Sequence, residues 1–326
     1  MHERRADFEG GQFSNSRAAQ TGAEGVQLAK GASSGSYTSA VIELPEEVRS
    51  VILSVNFECA APDRLGVVGL VSVHSGQEWS PWFRLLRRDW PENDLGQVAH
   101  ASGRVEVDVL RLANRSRELK YRVDWRTDQK ECRLRRVALC LEGESPLPRS
   151  AHTAPAPLLL EVPFLSQWDA KAHPAARICS PTCLAMVASY YDRELSVDQL
   201  AGEAFDRDHD LYGNWSANML ALSMHGFRAV VDRGSAADEL DKVLMEKRPI
   251  IASMAFENGE LTGSPLDRTD GHLVVIAGVT AEGDFAVRDP AARGLDDWRV
   301  YRREQLARAW LDHGGVWYNV QPEVSR

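Results

Sequence analysis

Several things are scarce or missing in this chain, and each absence narrows its class. No run of about eighteen apolar residues occurs, so no membrane-spanning helix is expected. The opening residues Met1–Glu9 lack an apolar stretch. No secretory signal is therefore expected, and the chain reads as cytoplasmic, or as secreted if a leader was trimmed away. Cysteine is sparse and odd in number: Cys59, Cys132, Cys140, Cys179 and Cys183 are the five. No pair has C-x-x-C spacing, which argues against a disulfide scaffold and a structural zinc site. Cys132 and Cys140 fall in one strand-like run and read as two buried free thiols sharing a strand face. There is no basic excess either. The net charge is -9, with zero over residues 1–150 and -9 over residues 151–326. That excludes the electrostatic footprint of a nucleic-acid binder, so no nucleic-acid partner is expected.

What is present is a soluble globular composition, 44% hydrophobic and 26% charged, spread over 326 residues. That length suits two domains. Residues 1–24 read as a polar arm carrying Phe8 and Phe13. From 25 to 143 the chain alternates with period two, as in Ser50–Phe57, Gly66–Val73, Arg104–Leu110 and Leu119–Arg126. Such runs, rich in β-branched residues and punctuated by Gly, Pro and Asn, predict an all-β sandwich. Residues 144–160 hold four prolines among Ser, Ala and Thr and predict an extended linker, with separable domains on either side. The second domain, 161–326, predicts helices at 181–191, 196–204, 215–225 and 235–247, then strands at 249–255, 272–279, 284–288 and 316–320. Helices followed by an antiparallel sheet make an α+β domain.

The chemistry concentrates in that second domain. In Arg177-Ile178-Cys179-Ser180-Pro181-Thr182-Cys183, Ser180 predicts a helix N-cap and Pro181 the first helical position. Cys179 then sits at the mouth of a helix, where the partial positive charge favours a thiolate. Cys183, four residues on, reads as core. His272 opens the apolar run Leu273–Ala277, and Asp289 precedes Pro290. The segment between them reads as strand, Glu282-Gly283-Asp284 turn, strand. Folding that hairpin brings His272 and Asp289 together, so Asp289 can hold one imidazole nitrogen and leave the other for Cys179. Gln167, just before Trp168, could donate its side-chain amide to an oxyanion together with the Cys179 backbone N–H.

Two other features are given structural readings. The acidic stretch Asp206-Arg207-Asp208-His209-Asp210 lacks the glycine and glutamate of a calcium loop, since Leu211 and Ala217 stand there, and reads as a solvated loop. Trp79 and Trp82 could stack on sugars or pack in the sandwich; packing is the expectation.

Read in order, Val162-Pro163-Phe164-Leu165-Ser166-Gln167-Trp168, Cys179-Ser180-Pro181-Thr182-Cys183-Leu184-Ala185-Met186, Arg248-Pro249-Ile250-Ile251, Gly271-His272-Leu273-Val274-Val275 and Asp289-Pro290 resemble the C39-like cysteine peptidases of papain-like fold. The resemblance covers about 161–320. It implies Cys179 as nucleophile, His272 as base, Asp289 as the group that orients it, and Gln167 as oxyanion donor. Ser180 departs from the glycine usual in the family. The exporter-linked members cut leader peptides after paired glycines and are joined to ATP-binding cassettes. This chain shows no Walker sequence, so that substrate does not carry over. The expected activity is cleavage of a peptide or amide bond through a Cys179 thioester, on a peptide or protein substrate, with no metal or organic cofactor. Two alternatives stay open. An amine could intercept the thioester in a papain-like acyltransferase, or the chain could be a non-catalytic protein whose sandwich binds a glycan or protein.

Overall fold

The structure is a computed structural model, and it describes residues 8, 10–18, 25–91, 96–129, 131–143, 156–294 and 296–323. The chain divides into two compact units: Met1–Ser145 with Asn214–Val231, and Pro146–Gly213 with Asp232–Arg326. Most of the proline-rich stretch, 144–155, lies outside the described residues, as do most of residues 1–9 and all of 19–24.

The first unit is sheet-rich. Its strands are β1 (Gln12–Ser14), β2 (Ser16–Ala18), β3 (Val26–Leu28), β4 (Ser34–Thr38), β5 (Ile42–Glu58), β6 (Gly66–Val73), β7 (Phe83–Arg88), β8 (Ala99–His100), β9 (Gly103–Glu106), β10 (Val109–Arg126) and β11 (Arg133–Glu142). A sandwich of two facing sheets was expected; the strands instead join in one sheet, ordered β1-β4-β10-β5-β11-β3-β2, with β6, β7, β8 and β9 branching from β10. Alternation predicts strands but not how they divide among sheets. Here β5 and β10 run for 17 and 18 residues and change partners along their length, so no break separates two layers. The polar arm takes part as well. β1 pairs with β4 and β2 with β3, at opposite ends of the strand order. The turn between them rests on Asn15 at φ 49, a left-handed conformation that Asn tolerates. The sheet thus curls until its two ends are linked by one turn. Phe8 and Phe13 both pack edge-on against Tyr37 inside it.

Strand β5 shows why Asn214–Val231 belongs to this unit. Leu53, Val55 and Phe57 face the core, while Ser54 and Asn56 alternate to the other face, yet both are buried. The segment α3 (Trp215–Ser223) and the start of β13 (Phe227–Arg233) cover that face. Asn56 Nδ2 donates to Ala229 O at 2.6 Å, and its Oδ1 accepts from Ala229 N at 3.1 Å. Ser54 Oγ accepts from Val231 N at 2.9 Å. The Asn56 amide acts as a short stand-in for a neighbouring strand, satisfying a buried backbone donor and acceptor together. Ala217, Leu220 and Met224 join the same apolar core. A fragment beginning near residue 157 would strip these groups of their partners, a cost that the linker composition does not reveal.

Trp79 and Trp82 are partly buried, and the Lys120 ammonium lies 4.3 Å and 5.3 Å from their ring centroids. In the acidic stretch, Asp206 is buried and closes a turn, with Oδ1 accepting from Asp208 N and Oδ2 meeting His209 Nδ1 at 2.8 Å.

The second unit carries β12 (Leu158–Leu159), α1 (Cys179–Tyr190), α2 (Val197–Ala204), α4 (Ala237–Met245), β14 (Ile250–Phe256), β15 (Thr269–Val279), β16 (Phe285–Arg288), β17 (Arg299–Tyr301), α5 (Arg303–Leu311) and β18 (Val316–Pro322). Its antiparallel strands run β18-β14-β15-β16-β17, with β12 also on β15. From Leu273 to Val279 every residue of β15 is buried, as a central strand covered on both faces should be. Helix α1 packs on β15 and α2, and Ser180 to Ala188 are all buried. Gly278 is needed for close approach, since a Cβ there would lie 2.2 Å from Leu158 O.

Candidate active site

Helix α1 begins at Cys179, two residues earlier than its sequence cues predict, and Ile178 is its cap residue. The first N–H groups of a helix have no partner within it, so Pro181 fits the third position without breaking a bond. Ser180 is therefore not the cap. Its hydroxyl lies 3.0 Å from Tyr318 Oη in the buried interior, which gives a side chain at this position its own use. Cys179 becomes the first residue of the helix, partly exposed, with no side-chain cap competing for the N–H groups around it.

The hairpin reasoning holds in the atoms. Strands β15 and β16 pair with Val275 opposite Arg288, which places Asp289 just past the strand end and near His272. His272 Nε2 lies 2.8 Å from Asp289 Oδ1, and both residues are buried, at 3% and 0% exposure. With Nε2 occupied, Nδ1 is left for the cysteine, and His272 hydrogen-bonds Cys179. Asp289 is held on two more sides. Ala291 N donates to Oδ1 at 2.9 Å, and Tyr301 Oη donates to Oδ2 at 2.6 Å.

The charges follow from these contacts. Burial alone would push the Cys179 thiol up. The hydrogen bond and charge of His272 outweigh it, aided by backbone bonds from Leu273 and Ser180, and the thiol falls below its ordinary value. Burial would lower His272, but the Asp289 carboxylate and its hydrogen bond prevail and raise it from 6.5 to about 10. Burial would raise Asp289, yet the histidine charge, the Tyr301 hydroxyl and Ala291 N–H bring it below 3.8. The group is thus disposed to hold a thiolate beside an imidazolium. Cys183 shows the contrast. It is fully buried, its Sγ donates to Leu273 O at 3.3 Å, and burial drives its pKa well above the ordinary thiol value.

Gln167 lies in a short 3-10 turn, Gln167–Asp169, with 3% exposure. Its backbone N donates to Pro290 O at 2.9 Å. On either side, Ser166 Oγ donates to Ala292 O and Trp168 Nε1 to Ala291 O, both at 2.7 Å. Three bonds thus tie the Gln167 segment to the one that follows Asp289. The Gln167 side-chain Oε1 is buried and meets no hydrogen-bond partner among the described residues, so no structural bond occupies that oxygen.

Sequence reasoning missed Tyr301. It sits on a three-residue strand twelve residues after Asp289, in no recognisable motif. Only the alternation of Arg299-Val300-Tyr301, which turns the tyrosine inward, hinted at burial. Tyr301→Phe is expected to lower kcat about tenfold with KM little changed, since a hydrogen bond to a charged group is lost. The Cys179 titration should rise with it, because a less firmly held Asp289 supports the imidazolium less. A kcat measurement with a pH profile checks both. Among the described residues no cluster of His, Cys, Asp and Glu could hold a metal ion.

No curated protein matches the chain. Several solved structures are similar to it, among them these three. One is a candidate C39-like peptidase from Bacillus anthracis, with 22% identity over 53% of this chain and 99% of that one and a TM-score of 0.38. Another is a double glycine motif protease from an AMS/PCAT transporter in complex with the leader peptide, with 20% identity over 51% and 97% and a TM-score of 0.33. The third is the peptidase domain of Streptococcus ComA, a bifunctional ABC transporter of a quorum-sensing pathway, with 16% identity over 50% and 99% and a TM-score of 0.35. Residues 159–317, which contain Cys179, His272, Asp289 and Gln167, match the Peptidase_C39 like family.

Proposed function

We propose that the protein is a cysteine peptidase with a papain-like arrangement of Cys179, His272 and Asp289. The observation that carries this reading is the geometry itself: a thiol on the first turn of a helix, hydrogen-bonded to a histidine whose other nitrogen is held at 2.8 Å by a buried carboxylate. Such an assembly stores a nucleophile and a proton side by side.

The Cys179 thiolate attacks the carbonyl carbon of a peptide or amide bond, and the C=O electrons move to oxygen. The Cys179 backbone N–H and the Gln167 side-chain amide receive that oxyanion. When it collapses, the C–N bond breaks and the amine leaves with a proton from His272 Nδ1. A thioester remains. His272 then takes a proton from water, the hydroxyl adds to the thioester, and the carboxylate departs as the thiolate returns. Asp289 keeps the imidazole oriented and its charge balanced throughout, with Tyr301 and Ala291 N–H holding the carboxylate in turn.

A peptide library digested in heavy-oxygen water and read by mass spectrometry tests this reading. New C-termini carrying the heavy oxygen are expected with the wild type and not with Cys179→Ala. Absence of any cleaved peptide, or equal cleavage by both proteins, would refute it. Products joined to an added amine in place of water would convert the reading to acyl transfer.

A further inference from the structure

Two thiols of the first unit, outside the segment that carries Cys179, face each other. On β5 and β11, Glu58 pairs with Arg133 in antiparallel register. One step beyond that pair, Cys59 stands opposite Cys132. Cys140, farther along β11, lies opposite Ile52. Cys59 and Cys132 hydrogen-bond each other and are buried, at 7% and 2% exposure. Directly opposed antiparallel residues have Cβ atoms about 4.5–5.5 Å apart, close to the 3.5–4.5 Å of a disulfide. Two of the other three thiols are engaged elsewhere, Cys179 with His272 and Cys183 with Leu273 O.

We propose that Cys59 and Cys132 form a redox-responsive dithiol site that a peroxide converts to a disulfide. Cys59 is the more accessible of the two, at 7% exposure against 2% for Cys132, and so meets the peroxide first. The hydrogen bond from Cys132 lowers Cys59 to about 7 against the effect of burial, with help from the Ala61 backbone, Thr127 and the Arg88 charge. The same hydrogen bond, with burial, drives Cys132 upward. Cys59 is the attacking thiolate and Cys132 the resolving thiol.

The Cys59 sulphur attacks one peroxide oxygen, the O–O bond breaks, and the departing hydroxide takes up a proton as water. This leaves a sulfenic acid on Cys59. The Cys132 sulphur then attacks that of Cys59, the S–O bond breaks, and a second water leaves with the thiol proton. Two thiols and one hydrogen peroxide become one disulfide and two waters, with two electrons passing from sulphur to oxygen. The link joins the end of β5 to the start of β11 and closes the loop between them. Closing a loop of this length restricts the unfolded chain, so the melting temperature should rise on the order of 10 °C.

The full-length reduced protein, treated with a few equivalents of hydrogen peroxide, quenched in acid, alkylated after unfolding and digested with trypsin without reductant, gives the test. Peptide Ser50–Arg64 should appear linked to Glu131–Arg133, two hydrogens lighter than their sum, while Cys140 and Cys183 remain alkylated. The link should vanish on reduction, and the rise in melting temperature with it. Cys132→Ser should leave Cys59 as a sulfenic acid that a dimedone probe captures. Both thiols fully alkylated after peroxide, or Cys132 linked to Cys140 instead, would overturn the proposal on the wild-type protein alone, whatever the folding of the variant.

Discussion

Cys179→Ala is expected to reduce peptide cleavage by about 10⁴-fold or more, with the fold intact. On the proposed reading, the substitution removes the thiol that forms the thioester. Cys183 is the nearest other thiol in sequence, but it is sealed in the core and held protonated by burial. Residual activity would have to come from binding and oxyanion stabilisation alone. The partly exposed position of Cys179 makes the change cheap structurally. Cys183→Ala should do the reverse. It leaves a small void and an unpaired Leu273 carbonyl on that side, costing about 1 kcal/mol of stability with activity nearly unchanged. Steady-state kinetics and a melting curve on the two variants separate these roles. An active Cys179→Ala beside an inactive, folded Cys183→Ala would reverse the assignment.

His272→Ala should be almost as severe, lowering kcat by about 10³-fold or more, because in the proposed mechanism the same imidazole both creates the thiolate and delivers the leaving-group proton. Asp289→Ala should be milder, about 10–100-fold, since it only orients and charges the ring. Stability should change with pH as well. His272 is raised from 6.5 to about 10, so its contribution is complete below 6.5 and lost as pH climbs through about 10. Asp289 is lowered from 3.8, so its contribution is present above 3.8 and lost as pH falls through its lower folded value. His272→Ala should therefore flatten the alkaline loss of stability seen in the wild type. Wild-type rates in both variants would remove the triad from the account.

The readable parts of this site were those that local physics determines. The Cys179 helix, the hairpin linking His272 to Asp289 and the core position of Cys183 follow from spacing, turn residues and apolar runs within a few residues of each group. Longer-range facts were not readable. Tyr301 reaches Asp289 through the order of strands β15, β16 and β17, which no local pattern encodes. Ser180 looked like a cap because its neighbours favour a helix start, while its partner, Tyr318, lies 138 residues away. Cys132 and Cys140 read as buried free thiols, and both are buried and free, but the register across strands that sets Cys132 opposite Cys59 has no local signal. In the first unit, alternation marked the strands, but their joining into one curled sheet depends on where β5 and β10 exchange partners. Likewise, Ser54 and Asn56 read as outward-facing positions, and only the return of Asn214–Val231 to β5 explains their burial.

The most direct test needs no substrate. The rate of Cys179 alkylation by iodoacetamide, followed by peptide mapping from pH 4 to 11, reports the thiolate at that one residue. In the wild type the expected titration lies below the ordinary thiol value of 9.0, moving to 9.0 or above in His272→Ala, where burial acts without the imidazolium. A titration at or above 9.0 in the wild type, unmoved by His272→Ala, would contradict it.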